Sequence, residues 1–248
     1  MDNEKYKMHD IHMHIIPGAD DGSWSLDMSL SMIYMAFQQG IERIIATPHS
    51  SAFDQHPELV KEGFQELKDH IAKRLPWIRL YSGCEVACSA GNMKKVLERL
   101  QKGSYPTLNH TDHVLTEFSV RIEKEEAVSC AKQLLAAGWI PVLAHAERYR
   151  QLFDREEKNG DCMRELKDLG CRIQINVYSV FDEENETIKQ NALDLVKNGY
   201  VDFLGTDAHR MNQRPPSAEA GLRFLYENFD KDYIDRIAFL NGEELLKI

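Results

Sequence analysis

The stretch KNGYVDFLGTDAH, residues 197–209, sets out the grammar of the fold. A helical pattern runs up to Gly199, a short apolar run follows, and the run ends in Thr206, Asp207 and His209. Glycine suits the left-handed position that closes a helix. An uninterrupted apolar run suits a strand buried on both faces, as in a parallel sheet. The same order recurs in QQGIERIIATPH (38–49), AAGWIPVLAHAER (136–148) and DLGCRIQIN (168–176). Ahead of Gly40, Leu26, Leu30, Ile33 and Phe37 recur at helical spacing and mark one apolar face.

Seven candidate strands follow from counting such runs, near residues 9–15, 41–49, 78–86, 113–119, 140–147, 171–177 and 201–209. Strands alternating with helices throughout one domain, residues 1–248, point to an α/β barrel. An open doubly wound sheet is the alternative. Neither glycine-rich nucleotide fingerprint is present, so a nucleotide-binding version has no support.

Bulk properties narrow the function. With 248 residues and 43% hydrophobic composition the chain can bury a substantial core. Forty acidic against thirty basic residues give a net charge of −10, which argues against nucleic acid as the main partner. No run approaches the length of a membrane helix, and MDNEKYKMHD lacks the apolar core of a signal peptide. A cytoplasmic protein is expected. The five cysteines include no C-x-x-C pair and read as reduced, buried thiols.

Chemistry gathers where the runs end. DIHMHIIPGADDG (10–22) carries His12 and His14; the later runs end in His49, Glu85, Glu117, His145 with Glu147 and Arg148, Asn176, and Asp207 with His209. In a β/α barrel these tips share one rim. Residues two apart on a strand face the same way, so His12 with His14, and Asp207 with His209, can each grip one ion. Five histidines with Glu85, Glu117 and Asp207 form an N/O donor set suited to Mn, Fe or Zn. Eight donors exceed a closed zinc site and imply two or three metals, with Glu85 as a bridge. Taken singly, an H-x-H pair is often chance and a strand carboxylate is often half of an ion pair; the joint placement carries the argument. His9, His56, His70, His110 and His113 end no run and are read as structural or exposed.

A thiolate phosphatase needs Cys-x5-Arg. Six places after Cys84, Cys88, Cys130, Cys162 and Cys171 stand Ala90, Lys94, Ala136, Asp168 and Val177. The thiol route is therefore closed, and the metal route is open.

Together, DIHMHIIPGADDG, IIATPH, GCEV, LTEF, LAHAERY and TDAH resemble the PHP (polymerase and histidinol phosphatase) family, in motif order and over nearly the whole chain. The branch most similar is that of bacterial metal-dependent protein-tyrosine phosphatases of capsule and exopolysaccharide clusters. The resemblance implies a distorted seven-stranded (β/α)7 TIM-like barrel and two or three divalent metals, Mn first, with Fe, Zn or Mg as options. It implies one metal on His12, His14, Glu85 and Asp207, and a second on Glu85, Glu117 and His145. A third would sit on His49, His209 and an aspartate of GADDG, with Asp21 the better match and Asp20 its rival. Arg148 and Arg214 match the phosphate-gripping arginines. The substrate implied is a phosphotyrosine protein, such as a bacterial tyrosine kinase regulating capsule synthesis. Histidinol phosphate or another small phosphomonoester is the alternative substrate, a PHP nuclease a weaker one, and a non-catalytic metal-binding regulator that docks a kinase the reading from another class. Ala146 and Cys84 depart from residues common in the family at those places without removing a donor, and QINVYSV (174–180) leaves the substrate wall open.

Overall fold

A computed structural model of the chain describes residues 6–153, 161–182 and 184–247. Its strands are β1 (Met8–Met13), β2 (Ile41–Ala46), β3 (Arg79–Ser82), β4 (Glu85–Ala87), β5 (His113–Glu117), β6 (Ile140–Leu143), β7 (Arg172–Asn176) and β8 (Phe203–Gly205). Every ladder is parallel, and helices connect most of them. The apolar runs are strands because they are buried: no residue of β1 or β8 is more than slightly exposed. Gly40, Gly138, Gly170 and Gly199 all have positive φ, as helix-closing residues should.

The third run departs from expectation. Instead of one strand over 78–86, it divides into β3 and β4 around Gly83 and Cys84. Up to Ser82 it pairs with β2; from Glu85 it pairs with β5. At the crossing, a Cβ on Gly83 would stand 2.9 Å from Ile45 Cγ2 and 3.0 Å from Thr47 Cγ2, so only glycine lets the chain pass this close to β2. In place of seven strands, the described residues form a three-stranded parallel sheet, β1-β2-β3, and a five-stranded one, β4-β5-β6-β7-β8.

Isolated contacts join the two sheets on both sides. Residues His49 and Glu85 form a single bridge, with Glu85 N–H donating to Pro48 O at 3.1 Å. On the other side, Asp207 N–H donates to His12 O (2.8 Å) and His14 N–H to Ala208 O (2.9 Å). Asp10, wholly buried, reinforces this seam. Its carboxylate accepts from Thr206 Oγ1 (2.5 Å), Thr206 N (3.0 Å) and His12 N (3.1 Å).

The first helix, Leu26–Gln38, turns a slightly different face inward than its spacing predicts. Met28, Met32, Ile33 and Ala36 are buried, while Leu26, Leu30 and Phe37 pack at the edge of the core. The methionines and Ala36 shift the centre of the stripe.

Candidate metal centre

The strands deliver their polar ends to one place. His14 directly follows β1, His49 lies three residues beyond β2, Glu117 ends β5, His145 lies two beyond β6, and Asp207 and His209 lie two and four beyond β8. Glu85 differs from expectation in opening β4 rather than ending a strand, a consequence of the break at Gly83.

Glu85 is the centre of the cluster and is almost wholly buried. Its Oε1 stands 3.1 Å from His145 Nε2 and 3.2 Å from His12 Nε2. Its Oε2 stands 3.0 Å from His49 Nδ1 and 3.2 Å from His14 Nε2. Glu117 lies 3.7 Å from both His49 Nδ1 and His145 Nε2. Asp207 Oδ1 faces His12 at 3.5 Å and His14 at 3.6 Å. Asp21 Oδ1 lies 3.4 Å from both His49 Nε2 and His209 Nε2.

The outer nitrogens of three rings are held by acceptors. His12 Nδ1 lies 3.1 Å from Gln174 Oε1, His14 Nδ1 2.8 Å from Asp20 Oδ2, and His209 Nδ1 2.9 Å from the Asp207 carbonyl. Each acceptor calls for a proton on Nδ1, so each Nε2 presents a lone pair to the cluster. His12 Nε2 and His14 Nε2 then face one another at 3.2 Å. Two lone pairs this close repel unless a proton or a metal ion lies between them. Glu85 Oε2 and His209 Nε2 are buried and make no hydrogen bond. Donor chemistry, orientation and orphaned atoms all fit divalent metals. Three groups can each converge on one ion: His12, His14 and Glu85; His49, Glu85 and Glu117; and His14, Asp21, His49 and His209.

Without cations the site is electrostatically conflicted. Burial opposes charge on His12, but Glu85 and Asp207 outweigh it and raise its pKa to about 9. Burial also opposes charge on Asp207, yet His12 and His145 depress its pKa to about 2. His209 is pushed down to about 3 by burial and by His14. His145 and Asp207 have φ of 35° and 51°, a conformation uncommon outside glycine and concentrated at functional sites.

Two aspartates that the sequence left as rivals occupy different positions. Asp21 is exposed and faces His49 and His209. Asp20 stands behind His14, and its carboxylate also accepts from the backbone N–H groups of His49 (2.9 Å) and Gly22 (3.0 Å). Asp20 thus ties the first loop to the second.

Arg148 and Arg214 meet on the other oxygen of Asp207. Their Nη1 atoms lie 3.4 and 3.3 Å from Oδ2, and Asn176 Nδ2 donates to the same atom at 3.2 Å. Arg214 also reaches Asp21 at 3.6 Å. Both guanidinium groups remain about one-third exposed. Glu147, despite its place in HAERY, turns away and accepts from Ser179 Oγ (2.7 Å) and Asn176 N (3.1 Å).

Gln174 escaped the sequence reading. It accepts from His145 N (2.9 Å) as well as meeting His12, and its amide donates to Asn176 Oδ1 at 3.0 Å. The available signal was a glutamine amid apolar residues in RIQIN (172–176).

The remaining histidines stay outside the cluster. His9 is buried against Arg43 Nη1 at 2.8 Å, and His113 opens β5. All five cysteines are free and buried, and burial raises the pKa of each thiol.

Comparison with known proteins agrees with this architecture. The tyrosine-protein phosphatase CpsB of Streptococcus agalactiae serotype III (strain NEM316) is 28% identical, covering 97% of this chain and 98% of its own. The tyrosine-protein phosphatase YwqE of Bacillus subtilis (strain 168) is 30% identical, covering 97% and 92%. A solved structure from work on YwqE from Bacillus subtilis and CpsB from Streptococcus pneumoniae, described there as unique metal-dependent tyrosine phosphatases, superposes with a TM-score of 0.82. It has 28% identity and covers 96% of this chain and 94% of that one. The family model for capsular polysaccharide synthesis, CpsB/CapC, matches residues 8–247, and this chain belongs to that family.

Proposed function

We propose that the protein is a metal-dependent protein-tyrosine phosphatase, with His12, His14, Asp21, His49, Glu85, Glu117, His145, Asp207 and His209 as metal ligands. The observation that carries this reading is Glu85, whose two oxygens meet four histidine nitrogens at 3.0–3.2 Å beside two part-exposed arginines. The two sheets are read as one distorted barrel in a single domain. Two or three ions, Mn first, suit the three overlapping donor groups, two of which share Glu85.

Divalent cations held by these ligands would supply Lewis acidity, lowering the pKa of a water and compensating charge on the phosphoryl oxygens. The chain's own residues do the rest. Asp207 Oδ2 and Asn176 hold the Arg148 and Arg214 guanidinium groups side by side, so their remaining N–H donors are organised before a phosphoryl group arrives. Arginine offers paired donors to phosphate oxygens and no acceptor, so it stabilises developing negative charge without competing for metal. A tyrosine leaving group, of pKa about 10, needs less protonation than an alkoxide. Gln174 and Asp20 fix the rings of His12 and His14.

The physiological substrate that fits the family's place in capsular polysaccharide synthesis is a phosphorylated tyrosine kinase acting in that process, within the cytoplasm. Among the described residues no helix is long and apolar enough to cross a membrane.

The test is direct. Metal-reconstituted protein is assayed on a phosphotyrosine peptide and on histidinol phosphate. A higher kcat/KM on the peptide is expected, and the reverse ranking would overturn the assignment. A second measurement checks the supporting layer. Gln174→Leu removes the acceptor behind His12, so affinity for Mn should fall about 10–100-fold in chelator competition. Unchanged affinity in a folded variant would remove Gln174 from that role.

A further inference from the structure

Arg148 also lines a groove of about 380 Å3, together with Val120, Arg121, Arg150, Asn185 and Ile188. The composition is unusual for this chain. Acidic residues outnumber basic ones by forty to thirty overall, yet the described residues lining this groove include three arginines and no carboxylate. Arg121 and Arg150 are exposed, and neither forms an ion pair among the described residues. The carboxylate contact of Arg148 is Asp207, in the metal cluster.

The walls are held in register. Phe118, two residues before Val120, donates its backbone N–H to the Tyr149 hydroxyl oxygen at 3.0 Å, and the two rings lie 5.7 Å apart. Tyr149 is fully buried between Arg148 and Arg150 in sequence. The loop after β5 and the turn after β6 are therefore pinned to each other. Val120, about half exposed, adds an apolar surface beside the three guanidinium groups.

We infer that this groove receives the residues flanking the phosphotyrosine and selects for carboxylate side chains among them. The inference rests on the phosphatase reading above. Arg148 stands at the junction, so a phosphoryl group on the metal side places the adjoining peptide at the groove. Arg121 and Arg150 then present planar donor forks that match Asp or Glu. Selection would run against the overall field, because a net charge of −10 repels acidic peptides at long range. A preference for acid must therefore come from a local feature.

The experiment compares two phosphotyrosine peptides, identical except that flanking Glu residues in one are Gln in the other. The metal-loaded protein should favour the Glu peptide by about fivefold to tenfold in kcat/KM, mainly through KM, as expected for exposed charge pairs. The preference should shrink as salt is added. In Arg121→Ala/Arg150→Ala the ratio between the peptides should fall to about one, since each exposed pair contributes little alone but both are lost. Hydrolysis of both peptides without preference would overturn the docking inference alone, as would a preference that survives the double substitution. Hydrolysis of neither peptide would overturn the phosphatase reading, and the inference with it.

Discussion

Chelation should abolish aryl-phosphate hydrolysis by this protein, while alkylation of its cysteines should leave the activity intact. The expectation comes from two opposite environments. Glu85 and the histidines around it form a donor cluster whose lone pairs converge on shared points. The cysteines are buried thiols with raised pKa values, and none has arginine six places on. A buried, protonated thiol is a poor nucleophile. Losing several kcal/mol of Lewis-acid stabilisation should cost at least about a thousandfold in rate. The measurement is turnover of p-nitrophenyl phosphate after EDTA, after re-addition of Mn, and after iodoacetamide under native conditions. Loss with iodoacetamide and none with EDTA would replace the metal mechanism by a thiol one.

Arg148→Ala should lose about 10²–10³ in kcat/KM while retaining its metal, the cost of removing one preorganised donor to transition-state charge. The structure separates these effects. Arg148 touches Asp207 only through Oδ2, which keeps Arg214 and Asn176 when Arg148 is gone. Oδ1, facing His12 and His14, is undisturbed. His145→Ala, by contrast, removes a nitrogen 3.1 Å from Glu85 and should strip or scramble metal. Metal analysis beside kinetics on a phosphotyrosine peptide distinguishes the two variants at similar loss of activity. Near-normal kcat/KM in Arg148→Ala would leave Arg214 as the phosphate-gripping candidate.

The strands and the donor residues were legible in the sequence for a local reason. A parallel strand buried on both faces must be apolar throughout, so its limits show wherever polar residues begin. A histidine or acid placed just beyond such a run stands at the sheet's end in any β/α arrangement. His12, His14, His49, Glu117, His145, Asp207 and His209 could therefore be assigned to one cluster without coordinates. The same logic misplaced Glu85 within its strand. Glu85 opens a strand because Gly83 crosses close to Ile45 and Thr47, a contact between segments nearly forty residues apart. Glu147 follows the strand-end pattern but turns inward to Ser179 and the backbone of Asn176.

By itself the sequence determined an α/β chain with repeated buried strands, a metal-type donor set at their ends, and no cysteine route to phosphate hydrolysis. Tertiary structure alone decided the division into sheets of three and five strands, the separate places of Asp20 and Asp21, and the role of Gln174. Composition and periodicity report which face of an element is buried. They carry no information on which atom meets which across the fold. His12 and Gln174 are 162 residues apart, and only the packing of β1 near β7 and β8 brings ring and amide within 3.1 Å. The arginine-lined groove arises the same way, because Arg121 and Arg150 become neighbours of one cavity only once Tyr149 pins their loops together.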